Sequence, residues 1–501
     1  MIVRVFGPPG TGKTTFLINQ VDKEITSGVL PNKIGYFAFT KRASNEAKER
    51  ASEKFKNLNV KKDFQNFRTL HSLAFQTLGI KRASMMDEQK YKDFSNIIGE
   101  DVGVERDDDG FVKRINNSVL DQINLARSRE MDLRTHYNQS GLDIEWRKLE
   151  FINAAYKKFK EKEGLYDYTD LLEEAVKCFD LIPKLEVCIV DEAQDLSKLQ
   201  WRFVKVLSEK AKRTFLAGDD DQAIYSWAGA DVVSFLDTKG ETIVLDKSYR
   251  VPDEVHRLAS SVIEKIKNRQ NKKWNPRQEK GSVKIIEEFF HIDFEKNSEE
   301  TWLVLASTNY LLNEPHDYLY SQGIHFQRNN QPCISSKIIS AVIDWEDLRK
   351  GKEVSLESVT NIYKYIDSQY VKRGFKNLKT ATEEILYTLD YLKKEHGLLT
   401  EDIWHEVLTK IPTSKVNYLI ALLKRKVKLK RNPLVSLSTI HGAKGAEADN
   451  VVLFTDISTK ACKEAFNNPD DARRLTYVAL TRAKKKLYII HPEDKEKSML
   501  F

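Results

Sequence analysis

A chain of 501 residues is longer than one hydrophobic core organises, so several domains are expected. Hydrophobic residues make up 41% and charged residues 31%, as in ordinary globular proteins, and no apolar run reaches membrane-spanning length. A formal net charge of +7 permits a polyanionic partner without demanding one.

The chain opens with an apolar run, Ile2–Phe6, too short for a signal peptide, so an intracellular, cytoplasmic location is expected. The run reads as a buried strand. Gly7-Pro8-Pro9-Gly10-Thr11-Gly12-Lys13-Thr14 follows, a full G-x-x-x-x-G-K-[ST] phosphate loop. Leu17, Val21 and Ile25 then recur at helical spacing. Such a loop closes backbone N–H groups around phosphates at a helix N-terminus. Lys13 is placed to reach the β- and γ-phosphates of ATP, and the Thr14 hydroxyl to bind Mg²⁺.

Ile34–Phe39, Val187–Val190, Thr214–Leu216 and Thr242–Leu245 read as further buried strands of an α/β sheet. Between about Gln76 and Gly164 the chain is charged and mainly helical, with Ile152, Ala155, Tyr156 and Phe159 on one helix face. Asp107–Gly110 within it reads as a solvated turn, too short for a calcium loop. A second strand set comprises Val283–Ile286, Leu303–Ala306, Val435–Ser438, Val451–Phe454 and Leu487–Ile490, interrupted by a helical stretch from about Asp344 to Arg431. The cysteines, Cys178, Cys188, Cys333 and Cys462, form no C-x-x-C pair, which argues against a zinc ribbon and fits a reducing compartment.

The strand Val187–Val190 ends in Asp191-Glu192, the place for a Mg²⁺-binding Asp and a water-activating Glu beside a phosphate loop. Alone, two acids after a buried strand are a weak signal. The full string is Asp191-Glu192-Ala193-Gln194-Asp195, and Gly218-Asp219-Asp220-Asp221-Gln222-Ala223-Ile224-Tyr225-Ser226-Trp227-Ala228-Gly229-Ala230 follows downstream. With these strings the sequence resembles the superfamily 1A DNA helicases of the UvrD/Rep/PcrA family. Phe39-Thr40-Lys41-Arg42-Ala43, Thr69-Leu70-His71-Ser72, Leu245–Arg250, Ser438–Glu447 and Arg473–Ala483 are similar to its other motifs, in family order.

The resemblance implies two RecA-like α/β domains with parallel sheets, each carrying a mainly helical insertion. The expected boundaries are 1–75, 165–250 for the first domain with insertion 76–164, and 251–343, 432–501 for the second with insertion 344–431. It implies an ATP hydrolase that moves 3′→5′ along single-stranded DNA and acts at single-strand/duplex junctions. The implied cofactors are ATP and Mg²⁺, the implied settings DNA repair or replication and, if the source is bacterial, a location at the nucleoid. Lys13, Glu192, Gln222, Arg250 and Arg482 would be catalytic, the two arginines as fingers. Gly7 to Thr15, Tyr249 and Glu447 would hold nucleotide, with Thr14 and Asp191 on the metal. Phe39, Thr40, Thr69, His71, Tyr225, Trp227, Thr439 and His441 would line the DNA path.

Read alone, each of these residues has a bland alternative: Tyr225 and Trp227 as core aromatics, His71 as a structural hydrogen-bonder, the arginines as surface cations. The sequence departs from the family at Thr15 and Ala228, where the family has arginines, in lacking its upstream glutamine motif, and in a reduced second insertion. Adenine selectivity is therefore not implied. Lys372–Lys376 and Lys424–Arg431 are basic stretches with the charge to track phosphates or to form a solvated face. A nucleotide-gated DNA-binding or signalling switch without processive translocation is the alternative to a motor.

Overall fold

The structure, a computed structural model, describes residues 1–106, 112–294, 299–378 and 381–501. The expected Asp107–Gly110 turn lies outside the described residues. The chain divides into two compact units: Met1–Lys280 with Ala465–Thr481 and Leu500–Phe501, and Gly281–Glu464 with Arg482–Met499.

The first unit is built on strands β1 (Ile2–Phe6), β2 (Ile34–Ala38), β3 (Phe67–Thr69), β4 (Val187–Val190), β5 (Arg213–Gly218) and β6 (Glu241–Val244). They form one sheet in the order β3-β2-β4-β5-β1-β6, with every neighbouring pair parallel. Alternate residues of each strand feed two different core layers. Val187, Ile189, Phe215 and Ala217 pack on one side with Leu17, Ile18 and Val21. Cys188, Val190 and Leu216 pack on the other with Leu171, Leu199 and Phe203. A sheet buried on both faces explains why these strands read as continuous apolar runs. The three-residue β3 is a strand that its short, mixed sequence does not announce.

The first insertion has a core of its own, including Tyr91, Phe94, Leu120, Ile123, Leu149, Ile152 and Tyr156. Within this mainly helical insertion lies a two-stranded antiparallel hairpin, Gly103–Arg106 with Val112–Asn116. Buried and half-buried charges tie the insertion to the rest of the unit. Lys160 donates to Asp167 and Asp170, and Arg127 donates to Asp167, Asp170 and Glu173.

The second unit holds strands β7 (Ser282–Ile286), β8 (Trp302–Ala306), β9 (Phe326–Arg328), β10 (Gln331–Pro332), β11 (Val435–Thr439), β12 (Ala448–Phe454) and β13 (Ala483–Ile490). The order is β10-β9-β11-β8-β12-β13-β7, parallel except for the β9–β10 pair. The five strands expected here gain two short ones at an edge. Residues of the second insertion, among them Trp345, Tyr363, Leu392 and Trp404, share one core with Trp302, Val304 and Leu437 of the sheet. That insertion therefore grows out of the sheet's own packing, unlike the first. No helix among the described residues is long and apolar enough to cross a membrane.

Candidate nucleotide and nucleic-acid sites

The phosphate loop leaves the C-terminal end of β1 and enters helix α1 (Lys13–Thr26). Gly12 sits at the helix start in the left-handed region, with φ 77°. Gly7 N–H donates to the carbonyl of Gly218 at 2.9 Å, anchoring the loop to β5. Gly10, with φ 72°, lies so close to the chain at Arg250 that an added Cβ would meet Arg250 Cβ at 2.3 Å, so only glycine fits. Ser248 Oγ donates to the Pro9 carbonyl at 2.7 Å, and Tyr249 N–H to the Gly10 carbonyl at 2.8 Å. The Leu245–Arg250 motif thus lies against the phosphate loop, with the Tyr249 ring 68% exposed beside it. Thr11 Oγ1 donates to the Pro8 carbonyl at 2.8 Å, closing the loop's first turn.

Lys13 Nζ donates to the Gly7 carbonyl at 3.1 Å and lies 3.8 Å from Glu192 Oε1. Asp191, at the end of β4, is buried and accepts from the Tyr36 hydroxyl at 2.7 Å and the Glu192 N–H at 2.9 Å. Burial, then the negative charge of Glu192, raise its pKa to about 6 against the opposing pull of Lys13 and Tyr36. The Asp191 carboxylate and the Thr14 hydroxyl are each oxygen donors of the kind that Mg²⁺ takes. Glu192 itself has φ 54°, a left-handed conformation costly for a residue with a Cβ. Its Oε2 accepts from Gln194 Nε2 at 2.6 Å.

Gln194 Oε1 in turn accepts the Asp219 N–H at 3.0 Å, and Asp219 Oδ2 accepts Gln222 Nε2 at 2.6 Å. Glu192 and Gln222, from separate motifs, are thereby joined by one hydrogen-bonded chain in the first unit. Thr15 is exposed at the start of α1, where its Oγ1 accepts from Arg50 Nη1 at 3.3 Å.

The aromatic residues expected on the DNA path also meet. Phe39 stacks on Tyr225 with centroids 5.8 Å apart, and Tyr225 lies 6.3 Å from Trp227. Trp227 is 61% exposed, which argues against a core role for the indole. Its loop is held on both sides: Arg129 Nη2 donates to the Ser226 carbonyl at 2.9 Å, and Ser226 Oγ donates to Asp471. Thr40 and Thr69 cap helices Lys41–Lys54 and Leu70–Thr77 through their hydroxyl oxygens. His71 packs edge-on against Tyr168, and burial lowers its pKa to about 4, so its ring is neutral at physiological pH.

In the second unit, Thr439 Oγ1 accepts from Gly442 N–H at 3.1 Å, shaping the turn that carries half-buried His441. Glu447 pairs with Lys484 at 2.7 Å. Arg482 is almost fully buried, and its Nη1 donates to the Ala446 carbonyl at 3.3 Å.

Sequence reasoning gave no role to Tyr36, Arg129, Arg269 or Lys272, nor to Ser248 and Arg474 within the Leu245–Arg250 and Arg473–Ala483 motifs. Tyr36 lies in an apolar run, and its partner Asp191 is 155 residues away. A serine or arginine that hydrogen-bonds a distant carbonyl leaves no local signature.

Residues 2–242 match the UvrD/REP helicase N-terminal domain, and residues 334–494 match the UvrD-like helicase C-terminal domain. The chain is 24% identical to a DNA helicase II of Rickettsia typhi, over 97% of this chain and 89% of that protein. It is 27% identical to the ATP-dependent DNA helicase PcrA of Bacillus subtilis, over 52% of this chain and 37% of that protein. It is also 27% identical to the DNA helicase II of Escherichia coli, over 60% and 44% respectively.

Proposed function

The chain belongs to the UvrD/Rep helicase family, and we propose that it couples ATP hydrolysis to 3′→5′ movement along single-stranded DNA. As a member it is an ATP-hydrolysing DNA helicase. The observation that carries the motor reading is the segment 219–229. Gln222 at its start is hydrogen-bonded into the Glu192 network, and Tyr225 and Trp227, three and five residues on, present aromatic faces. One short segment therefore connects the hydrolytic residues to a base-stacking surface.

In this reading Lys13 places its ammonium on the β- and γ-phosphates, and loop N–H groups cradle them. Glu192 accepts the proton of the attacking water, held in place by Gln194. Gln222 reads the γ-phosphate, and Arg250 and Arg482 offset the charge that develops in the transition state. Thr14 and Asp191 would hold Mg²⁺, which would offset phosphate charge. Tyr249 and Glu447 contact the base and ribose. Stacking on Trp227 and Tyr225 accepts any base, as movement along a strand requires. Phe39, Thr40, Thr69, Thr439, His441 and a neutral His71 complete the path.

The experiment is ATPase turnover with and without single-stranded oligonucleotides, followed by stopped-flow translocation on strands of increasing length. With a fluorophore at the 5′ end, the arrival time should lengthen with strand length. With the fluorophore at the 3′ end it should not. Turnover indifferent to DNA would instead indicate a nucleotide-gated switch.

A further inference from the structure

Beyond helix α2 (Asp253–Ile263) the chain reads Lys267-Asn268-Arg269-Gln270-Asn271-Lys272-Lys273, a composition that suggests a solvated surface. The Lys272 side chain is nevertheless fully buried. Its Nζ lies 3.0 Å from Asp219 Oδ1, 2.5 Å from Asp220 Oδ1 and 2.7 Å from Asp221 Oδ2. Arg269 forks onto Asp221, Nε to Oδ1 at 2.8 Å and Nη2 to Oδ2 at 2.7 Å. The Gln270 N–H donates to Asp220 Oδ2 at 2.7 Å. From helix α3 (Pro469–Leu480), Arg474 Nε donates to the Asp220 carbonyl at 3.0 Å.

Three carboxylates drawn this close would ordinarily bind a cation, and here the chain supplies its own ammonium. Burial pulls the Lys272 pKa down, but the three carboxylates outweigh it and keep the amine charged. The cluster does not stop at charge balance. Asp219, gripped by Lys272 through Oδ1, accepts the Gln222 amide on Oδ2, and its N–H is fixed by Gln194, which also donates to Glu192.

We propose that the Arg269–Lys272 segment is a positioning strap for hydrolysis. By gripping Asp219, Asp220 and Asp221 it orients the Gln222 amide and, through Gln194, the Glu192 carboxylate. This rests on the roles given above to Glu192 and Gln222. Arg269 and Lys272 act through the aspartates, so their loss is felt in turnover. Nucleotide affinity depends on Lys13 and the loop N–H groups, which the strap does not touch.

Lys272→Met alone strands a buried carboxylate and can fail to fold, so the informative variant is Lys272→Met with Asp220→Asn, which keeps the cluster's charge balance. Arg269→Gln, with Arg269→Lys as the conservative control, is the second probe. ATPase at saturating single-stranded DNA, affinity for a fluorescent ATP analogue and thermal melting are measured on the full chain. Both probes should lower kcat, the double variant by about tenfold or more, with ATP affinity within about threefold of wild type. Arg269→Lys should recover part of the loss. A kcat within about twofold of wild type in the folded double variant would mean that Lys272 only balances charge, and would overturn the strap. If the double variant does not fold, an unaltered kcat in Arg269→Gln overturns it instead. A Lys13→Ala arm separates the two readings. Retained turnover there defeats the nucleotide-site assignment, whereas its loss beside wild-type strap variants defeats the strap alone.

Discussion

The Lys13 ammonium and the Glu192 carboxylate stand 3.8 Å apart, with side chains 13% and 34% exposed. A charge pair this loose and accessible can be parted by an incoming phosphate, which offers Lys13 more negative charge and leaves Glu192 to face water. The two variants should therefore fail differently. Lys13→Ala should weaken ATP binding and abolish turnover. Glu192→Gln should keep ATP affinity, because Gln194 retains an oxygen to donate to, while turnover falls by roughly 10²–10⁴-fold. Equilibrium binding beside steady-state ATPase separates the two, and near-normal turnover in Glu192→Gln would remove it from the role of base.

Asp191 sets a pH dependence whose sign can be worked out. Its pKa is about 6 in the folded protein, against 3.8 for the free side chain. The folded state thus holds the proton more tightly, and the stabilisation it gives is complete below about pH 4 and lost as pH rises through about 6. At neutral pH the charged carboxylate costs the metal-free protein about 3 kcal/mol. Asp191→Asn, which mimics the neutral form, should melt above wild type at pH 7.5, and the gap should shrink by about half at pH 5 and close below about pH 4. Added Mg²⁺ should raise wild-type Tm at pH 7.5 and leave the Asn variant unmoved. A gap constant across that range would place Asp191 among ordinary carboxylates.

Trp227 offers its ring on a loop held by Arg129 and Asp471. A pre-ordered aromatic loses little entropy when a base stacks on it, and such a contact is worth ~1–3 kcal/mol. Trp227→Ala should lower single-strand affinity accordingly and reduce the stimulation of ATPase by DNA, with Trp227→Phe in between. Fluorescence anisotropy with a labelled oligonucleotide is the measurement. Affinity unchanged in the Ala variant would leave the indole without a DNA role.

Legibility in the sequence followed how local each signal was. Strands β1, β2, β4 and β5 are buried on both faces, so their apolar runs stand out, and the phosphate loop and Asp191-Glu192 mark their ends. The edge strand Phe67–Thr69 and the strand next to an edge, Phe326–Arg328, are three residues each and carry no such run. The hairpin in the first insertion is flanked by acidic sequence that reads as turn or helix. Lys272 misleads most strongly. A lysine among lysines and asparagines looks solvated, and only the fold brings it to three aspartates about fifty residues earlier. Of the two basic stretches, Lys376 proves partly structural. Its Nζ donates to the Ile366 carbonyl at 2.7 Å, and burial together with neighbouring Lys410 lowers its pKa to about 8.

The other basic stretch, Lys424–Arg431, keeps its charge outward. Helix Thr413–Lys424 ends there, Lys426 turns the chain with φ 58°, and Leu429 is buried in the core of the second unit. Lys424, Arg425, Lys426, Lys428, Lys430 and Arg431 are exposed around that anchor. A cationic turn pinned by an apolar residue is a fixed array of charge, suited to holding duplex phosphates beside a junction. Phosphate pairing of this kind releases counterions, so each neutralised phosphate steepens the salt dependence of binding by about 0.9 in log–log slope. Replacing Lys424, Arg425, Lys426 and Lys428 with Gln should weaken binding to a forked duplex and flatten its salt titration by about that amount for each phosphate no longer neutralised. Binding to single strands, which rests on Trp227 and Tyr225, should show much less change in slope. Parallel salt titrations of both substrates with both proteins provide the comparison. Coincident slopes on the fork would make the run a solvated surface, with no part in holding duplex.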